Sequence, residues 1–117
     1  MNRPFTSDEK RLVRWMLEHG EPEAAAFLPQ LEKALVTPWR CRCGCASIHI
    51  SISDYPEPSG GLHPLARFVF GTNENLSGIF VYEQNNILAG VEVYGLVGDA
   101  PRLLPFPESL RAFANAA

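Results

Sequence analysis

The stretch Cys41-Arg42-Cys43-Gly44-Cys45-Ala46-Ser47-Ile48-His49-Ile50-Ser51-Ile52-Ser53 divides the chain into two kinds of sequence. Before it, apolar residues recur at helical spacing; after it, they alternate. It holds all three cysteines of the protein and runs into the cleanest alternating segment. Ile48, Ile50 and Ile52 fall on one face of a strand, and Ser47, His49, Ser51 and Ser53 on the other. A chain that switches from a 3.6-residue to a 2-residue period reads as α+β, with the helices grouped first.

Upstream, Thr6-Ser7-Asp8-Glu9 is a helix start. Thr6 caps free backbone N–H groups, Glu9 completes a capping box, and the acids suit the positive end of the helix dipole. Leu12, Val13, Met16 and Leu17 form one apolar stripe, with Gly20 as a stop. Ala24, Phe27, Leu28, Leu31 and Leu35 continue at helical spacing across Pro29, which removes a backbone donor and breaks the segment near Leu28. The expectation is an antiparallel helical pair. Val36 to Arg40 reads as a short edge strand, because Pro38 excludes a central place in a sheet.

Downstream, Asp54 to Leu65 contains Pro56, Pro58, Gly60, Gly61 and Pro64 and reads as a long loop. Ala66 to Phe70 is a strand. Ser77–Glu83 and Ile87–Leu96 form a hairpin, since Asn85 and Asn86 tolerate the left-handed backbone of a tight turn. Gly90 and Gly95 suggest a bulge or a close backbone approach. Pro107 opens a short terminal helix carrying Leu110 and Phe113. The whole is expected to be one domain, residues 1–117. A helical pair packs on a four- to five-stranded antiparallel sheet, and a short C-terminal helix closes the chain.

With 117 residues and 46% apolar content, the chain can build a core without metal or disulfide. Its net charge of −3 argues against a nucleic-acid partner, which calls for a basic face. No apolar run reaches the length of a membrane span, and the start lacks a signal-peptide core. The expected compartment is therefore the cytoplasm, where thiols stay reduced.

Three thiols and an imidazole supply one route to chemistry. Cys41, Cys43 and Cys45 with His49, or with His63, form a four-ligand set of the kind zinc takes. On a continuous strand the three thiols and His49 share a face, but neighbours two apart stand nearly ~7 Å from each other, so Gly44 would have to bend the backbone into a loop. Paired zinc clusters also space their cysteines differently. Redox chemistry is another reading, because Arg40 and Arg42 flank the thiols and favour thiolate. A catalytic cysteine would need a histidine partner, but His19, His49 and His63 are spread over the chain and no orienting acid can be assigned. The remaining reading treats the cysteines as small buried hydrophobes. Phosphate-cradling and dinucleotide signatures are missing, and Ser59-Gly60-Gly61 lacks the flanking strand and helix. Glu83 and Glu92 read as solvated acids on neighbouring strands. Trp15, Trp39 and Tyr55 are of the types that anchor protein interfaces.

Leu12-Val13-Arg14-Trp15-Met16-Leu17-Glu18-His19-Gly20 and Cys41-Arg42-Cys43-Gly44-Cys45-Ala46-Ser47-Ile48 together resemble small bacterial proteins of unassigned function. Those proteins carry a helix of this kind before a Cys-x-Cys-Gly-Cys strand entry. The resemblance implies a complete bacterial chain and supplies no catalytic residues. The leading expectation is a non-enzymatic accessory or immunity-type module that binds another protein through its sheet face or long loop. The alternative is a zinc-binding or thiol-redox protein built on Cys41, Cys43 and Cys45.

Overall fold

The computed structural model describes residues 1–113 and folds as α+β around one antiparallel sheet. In chain order the elements are β1 (Arg3–Pro4), α1 (Ser7–Glu18), a 3₁₀ turn (Ala24–Phe27), α2 (Leu28–Leu31), β2 (Ala34–Val36) and β3 (Ile48–Ile52). Then follow β4 (Leu62–Thr72), β5 (Asn75–Gln84), β6 (Ile87–Gly95), a second 3₁₀ turn (Pro107–Ser109) and β7 (Arg111–Ala112). Seven strands run in the order β1-β2-β3-β6-β5-β4-β7. β4, β5 and β6 form a meander, and β3 joins it to the outer strands. The first half of β3 pairs with β6 (Ile48↔Val91) and the second half with β2 (Ala34↔Ile52).

α1 forms where the capping residues place it. Thr6 Oγ1 accepts from the Glu9 backbone N–H at 3.1 Å, and Glu9 Oε1 accepts from the Thr6 N–H at 2.8 Å. Leu12, Val13, Met16 and Leu17 are fully buried. They pack with Ile48, Ile50, Ile52, Ala66, Phe68, Ile79, Val81, Val91 and Val93 in a single apolar cluster. Gly20 ends the helix against β4: a Cβ there would stand 2.4 Å from the Leu65 carbonyl oxygen. Glu21 donates its N–H to that oxygen at 2.8 Å, which fixes the helix end to the sheet.

Several expectations change in detail. The second helix of the expected pair is a 3₁₀ turn followed by only four α residues, because Pro29 sits in the first turn of α2 and the ladder cannot run through it. The strand expected at Val36–Arg40 lies at Ala34–Val36 and is not the edge, since β1 pairs outside it. Pro4 is tolerated on that outermost strand. The expected loop Asp54–Leu65 is shorter, because β4 begins at Leu62, opposite Gln84. Pro64 fits there beside a register shift between Pro64 and Ala66. The four- to five-stranded sheet has seven strands, two of them only two residues long. The expected C-terminal helix is one 3₁₀ turn. Leu110 then takes an extended backbone, and Arg111–Ala112 pair with Val69 and Phe68 of β4.

The β5–β6 hairpin turns through Asn85 and Asn86 alone, both at positive φ (53° and 67°). The irregularity expected near Gly90 lies one residue away. Tyr82 faces Gly90 and Glu83 faces Leu88, leaving Ala89 as the extra residue. Gly90 is needed for space, since the Tyr82 hydroxyl would stand 2.5 Å from an added Cβ.

Candidate functional site

The Thr37–Ser47 connection between β2 and β3 brings the cysteines together. Gly44 donates its N–H to the Cys41 carbonyl at 3.0 Å and adopts φ 83°. This turn folds back a segment that a strand would spread out. Glycine accepts the left-handed backbone without the cost a Cβ imposes. A Cβ at Gly44 would also stand 2.6 Å from an Arg102 guanidinium nitrogen. Arg102 belongs to the C-terminal segment, which is tied to the loop by the Ala46 N–H donating to the Pro101 carbonyl at 2.9 Å.

As a result, the sulfurs of Cys41, Cys43 and Cys45 all lie within 4.8 Å of one another. The Cys41 and Cys43 sulfurs are 2.8 Å apart. The Cys45 backbone N–H donates to the Cys43 sulfur at 3.3 Å, a bond that favours a thiolate acceptor. The Cys45 thiol donates to Ser47 Oγ at 3.3 Å. Ser47 is itself buried and fixed by the Val93 N–H (2.9 Å) and the Val93 carbonyl (3.3 Å). Val93 of β6 therefore positions the third sulfur through Ser47. Cys43 is exposed, while Cys41 and Cys45 are half-buried and Cys45 packs on the apolar cluster. Burial as a small hydrophobe does not describe Cys43.

The thiols differ in acidity. Cys43 is pushed up to about 11, first by its side-chain hydrogen bond with Cys41 and then by that with the Cys45 side chain, while the Cys45 N–H opposes in part. For Cys45, burial opposes the thiolate, but hydrogen bonds to Ser47 and then to its two neighbours outweigh burial and bring it down to about 7. A negative charge on Cys45 opposes loss of the proton from Cys43.

Metal ligation requires a modest adjustment. Sulfurs at a Zn–S distance of ~2.3 Å from one ion stand ~3.8–4.0 Å apart in tetrahedral or trigonal geometry. The Cys41 and Cys43 sulfurs, at 2.8 Å, stand closer than that spacing, so ligation requires their side chains to move apart. Cys41 and Cys45 line a cleft of about 710 Å³, whose walls also include Asp8, Glu9, Trp39, Arg40 and Arg102.

His49 is not brought into this group. Among the described residues, the ligand atoms within 4.8 Å of one another are the three sulfurs alone. The His49 ring alternates with Ile48 and Ile50, so it faces away from the core, and it stacks on Trp39 at 3.7 Å and 3°. Burial lowers its pKa, with Glu92 and Glu57 opposing in part. His19 stacks on Trp15 at 4.2 Å, and its Nδ1 lies 2.8 Å from the Trp15 carbonyl. His63 lies between two carboxylates, with Nδ1 2.9 Å from Glu83 and Nε2 3.3 Å from Glu23. Glu83 stands opposite Leu88 and Glu92 opposite Phe80, so the two acids are not a facing pair.

Sequence reasoning missed Arg102, which carries no local signal because it lies 57 residues beyond Cys45. It also missed the link between His63, Glu23 and Glu83. The alternation of β5 placed Glu83 on a strand face, but the partner residues come from other elements.

The outer face of the sheet is aromatic. Phe80 lies 5.7 Å from Tyr82 and 6.0 Å from Tyr94, ring centroid to centroid. A second cleft, of about 680 Å³, runs beside Tyr82 between Trp39, His49, Glu57 and Leu62. No helix among the described residues is long and apolar enough to cross a membrane. Compared with models of known families, with curated proteins and with solved structures, the chain shows no match.

Proposed function

We propose that this protein binds a thiophilic metal ion through Cys41, Cys43 and Cys45. The observation that carries this reading is the convergence of three sulfurs within 4.8 Å in a turn that Gly44 makes possible. Soft thiolates select copper(I), zinc and iron–sulfur centres over hard cations. The N–H of Cys45 and the hydroxyl of Ser47 support two of the sulfurs, as outer partners do in metal sites. Native mass spectrometry of the reduced protein, before and after a strong chelator, tests the proposal. A one-metal mass difference that is lost in Cys43→Ser supports it. An unchanged apo mass after incubation with soft metals, with three freely titrating thiols, rejects it.

A second reading, binding of another protein, has its own support in the outer face of the sheet. Trp39 and Leu62 are exposed beside the cleft, and the half-buried Phe80 and Tyr94 lie next to it around the largely buried Tyr82. The occupant that fits is an extended apolar or aromatic segment of a partner. A pull-down from native lysate with the wild type and Trp39→Ala tests this. A partner lost only in the variant supports it, and equal background in both removes it.

A further inference from the structure

We infer that the ion is monovalent copper, held by the three sulfurs alone in a three-coordinate site with Arg102 offsetting its charge. This deepens the metal-binding reading and rests on it. The number and softness of the donors favour one metal. A closed zinc site takes four protein ligands and an open one three with water as the fourth. Here the group ends at three.

Every histidine of the chain is engaged elsewhere: His19 against Trp15, His49 against Trp39, and His63 between Glu23 and Glu83. Two carboxylates line the cleft. Glu9 is held by Arg3 at 2.8 Å and by the Thr6 N–H, and neither Glu9 nor Asp8 belongs to the sulfur group. Copper(I) is a closed-shell ion that is satisfied by two or three soft sulfurs and has little affinity for carboxylate or water, so it needs no fourth donor.

Charge points the same way. Three thiolates around a divalent ion carry one net negative charge, and around a monovalent ion they carry two. The loop has cations to balance the larger charge. Arg42 lies within it, Arg40 lines the same cleft, and the Arg102 guanidinium reaches Gly44 from a segment far away in the chain. Arg102 does so although the site is open to water, which fits a loop whose own charge is strongly negative when loaded. Binding transfers the thiol protons to solvent and changes no oxidation state.

The experiment uses the full chain, reduced and under anaerobic conditions, titrated with copper(I) and with zinc, each against its own chromophoric chelator. The expected result is one copper(I) per chain, bound at least ~100-fold more tightly than zinc, with X-ray absorption reporting three sulfur neighbours and no nitrogen or oxygen. Arg102→Gln should weaken copper(I) by a few-fold and zinc by less, the scale of a solvent-exposed charge contact. Cys43→Ser should abolish binding and leave the far-ultraviolet circular dichroism unchanged; Cys41→Ser is the second variant if the first fails to fold. Tighter zinc binding, a nitrogen or oxygen ligand, or more than one copper per chain would overturn the inference while leaving a metal-binding protein. Binding of neither metal would overturn both.

Discussion

The two ends of β3 meet opposite fates. From Ile48 onward the chain is gripped on both sides: Ile48, Ile50 and Ile52 are buried under α1 and its neighbours, and the backbone pairs with β6 and then β2. Immediately before it, Cys41–Cys45 is a turn with an exposed centre, one left-handed glycine, and side chains that bond mainly to one another. One region is held by apolar burial that any volume-matched hydrophobe could supply. The other depends on three atoms of one element and on a single permissive backbone position. A stable fold and an exposed cysteine turn thus sit side by side with mainly different sources of stability, joined at Cys45 through its packing on the core and through Ser47 and Val93.

Truncating the first region should have the largest effect. Met16→Ala removes a fully buried side chain from the helix–sheet interface and should cost about 2–5 kcal/mol, read as a lower urea midpoint. Metal affinity measured below that midpoint should stay unchanged. A parallel loss of affinity would show that the loop depends on the core packing.

Gly44→Ala separates the regions in the opposite direction. The left-handed backbone and the contact with Arg102 should cost about 1–3 kcal/mol of local strain. Because the turn can relax at the surface, most of the effect should appear as weaker metal binding in a competition titration and little as a lower melting temperature. Thr6→Ala removes the cap of α1 and should cost ~1 kcal/mol, with no effect on the metal.

The smallest effect concerns pH. The Arg3 guanidinium, followed by the Thr6 N–H, lowers the pKa of Glu9 from its ordinary value. A carboxylate whose pKa is lower in the folded state stabilises the protein above its unfolded value and loses that contribution as pH falls through the folded one. Glu9→Gln preserves the capping-box geometry, so its deficit in chemical denaturation should be under ~1 kcal/mol near neutrality, given the exposed Arg3 partner. That deficit should shrink as pH falls below the ordinary carboxylate range and vanish once Glu9 is protonated in the folded state as well. A deficit that persists in acid would place the effect in packing instead of charge.

Much of the core was legible in the chain. The capping box at Thr6 and Glu9, the stripe Leu12–Leu17 and the alternation Ile48–Ile52 are local patterns, and each recurs in the structure. So does the Asn85–Asn86 turn. The two-residue strands at Arg3–Pro4 and Arg111–Ala112 were not legible, because so short a pairing leaves no period to detect and exists only where a neighbour offers an open edge. The reach of Pro64 into β4 was hidden for a similar reason, since a proline reads as a breaker until a bulge accommodates it. In the cysteine loop, spacing alone put the sulfurs too far apart for one ion, and only the dihedral angle of Gly44 brings them together. The expected fourth ligand, His49, followed from strand parity. Its stacking on Trp39 is a tertiary fact, set by where the β2–β3 connection crosses the sheet.

Thermal unfolding of the reduced protein, stripped of metal by chelator and then reloaded, tests most directly whether the apolar interior stands without the sulfur site. The stripped protein should melt in one cooperative transition with full near-ultraviolet circular dichroism, and reloading should raise its midpoint by an amount that depends on free metal concentration, as binding to the native state alone requires. A stripped protein that shows no cooperative transition and regains one only with metal would contradict the account, because the loop would then be holding up the fold.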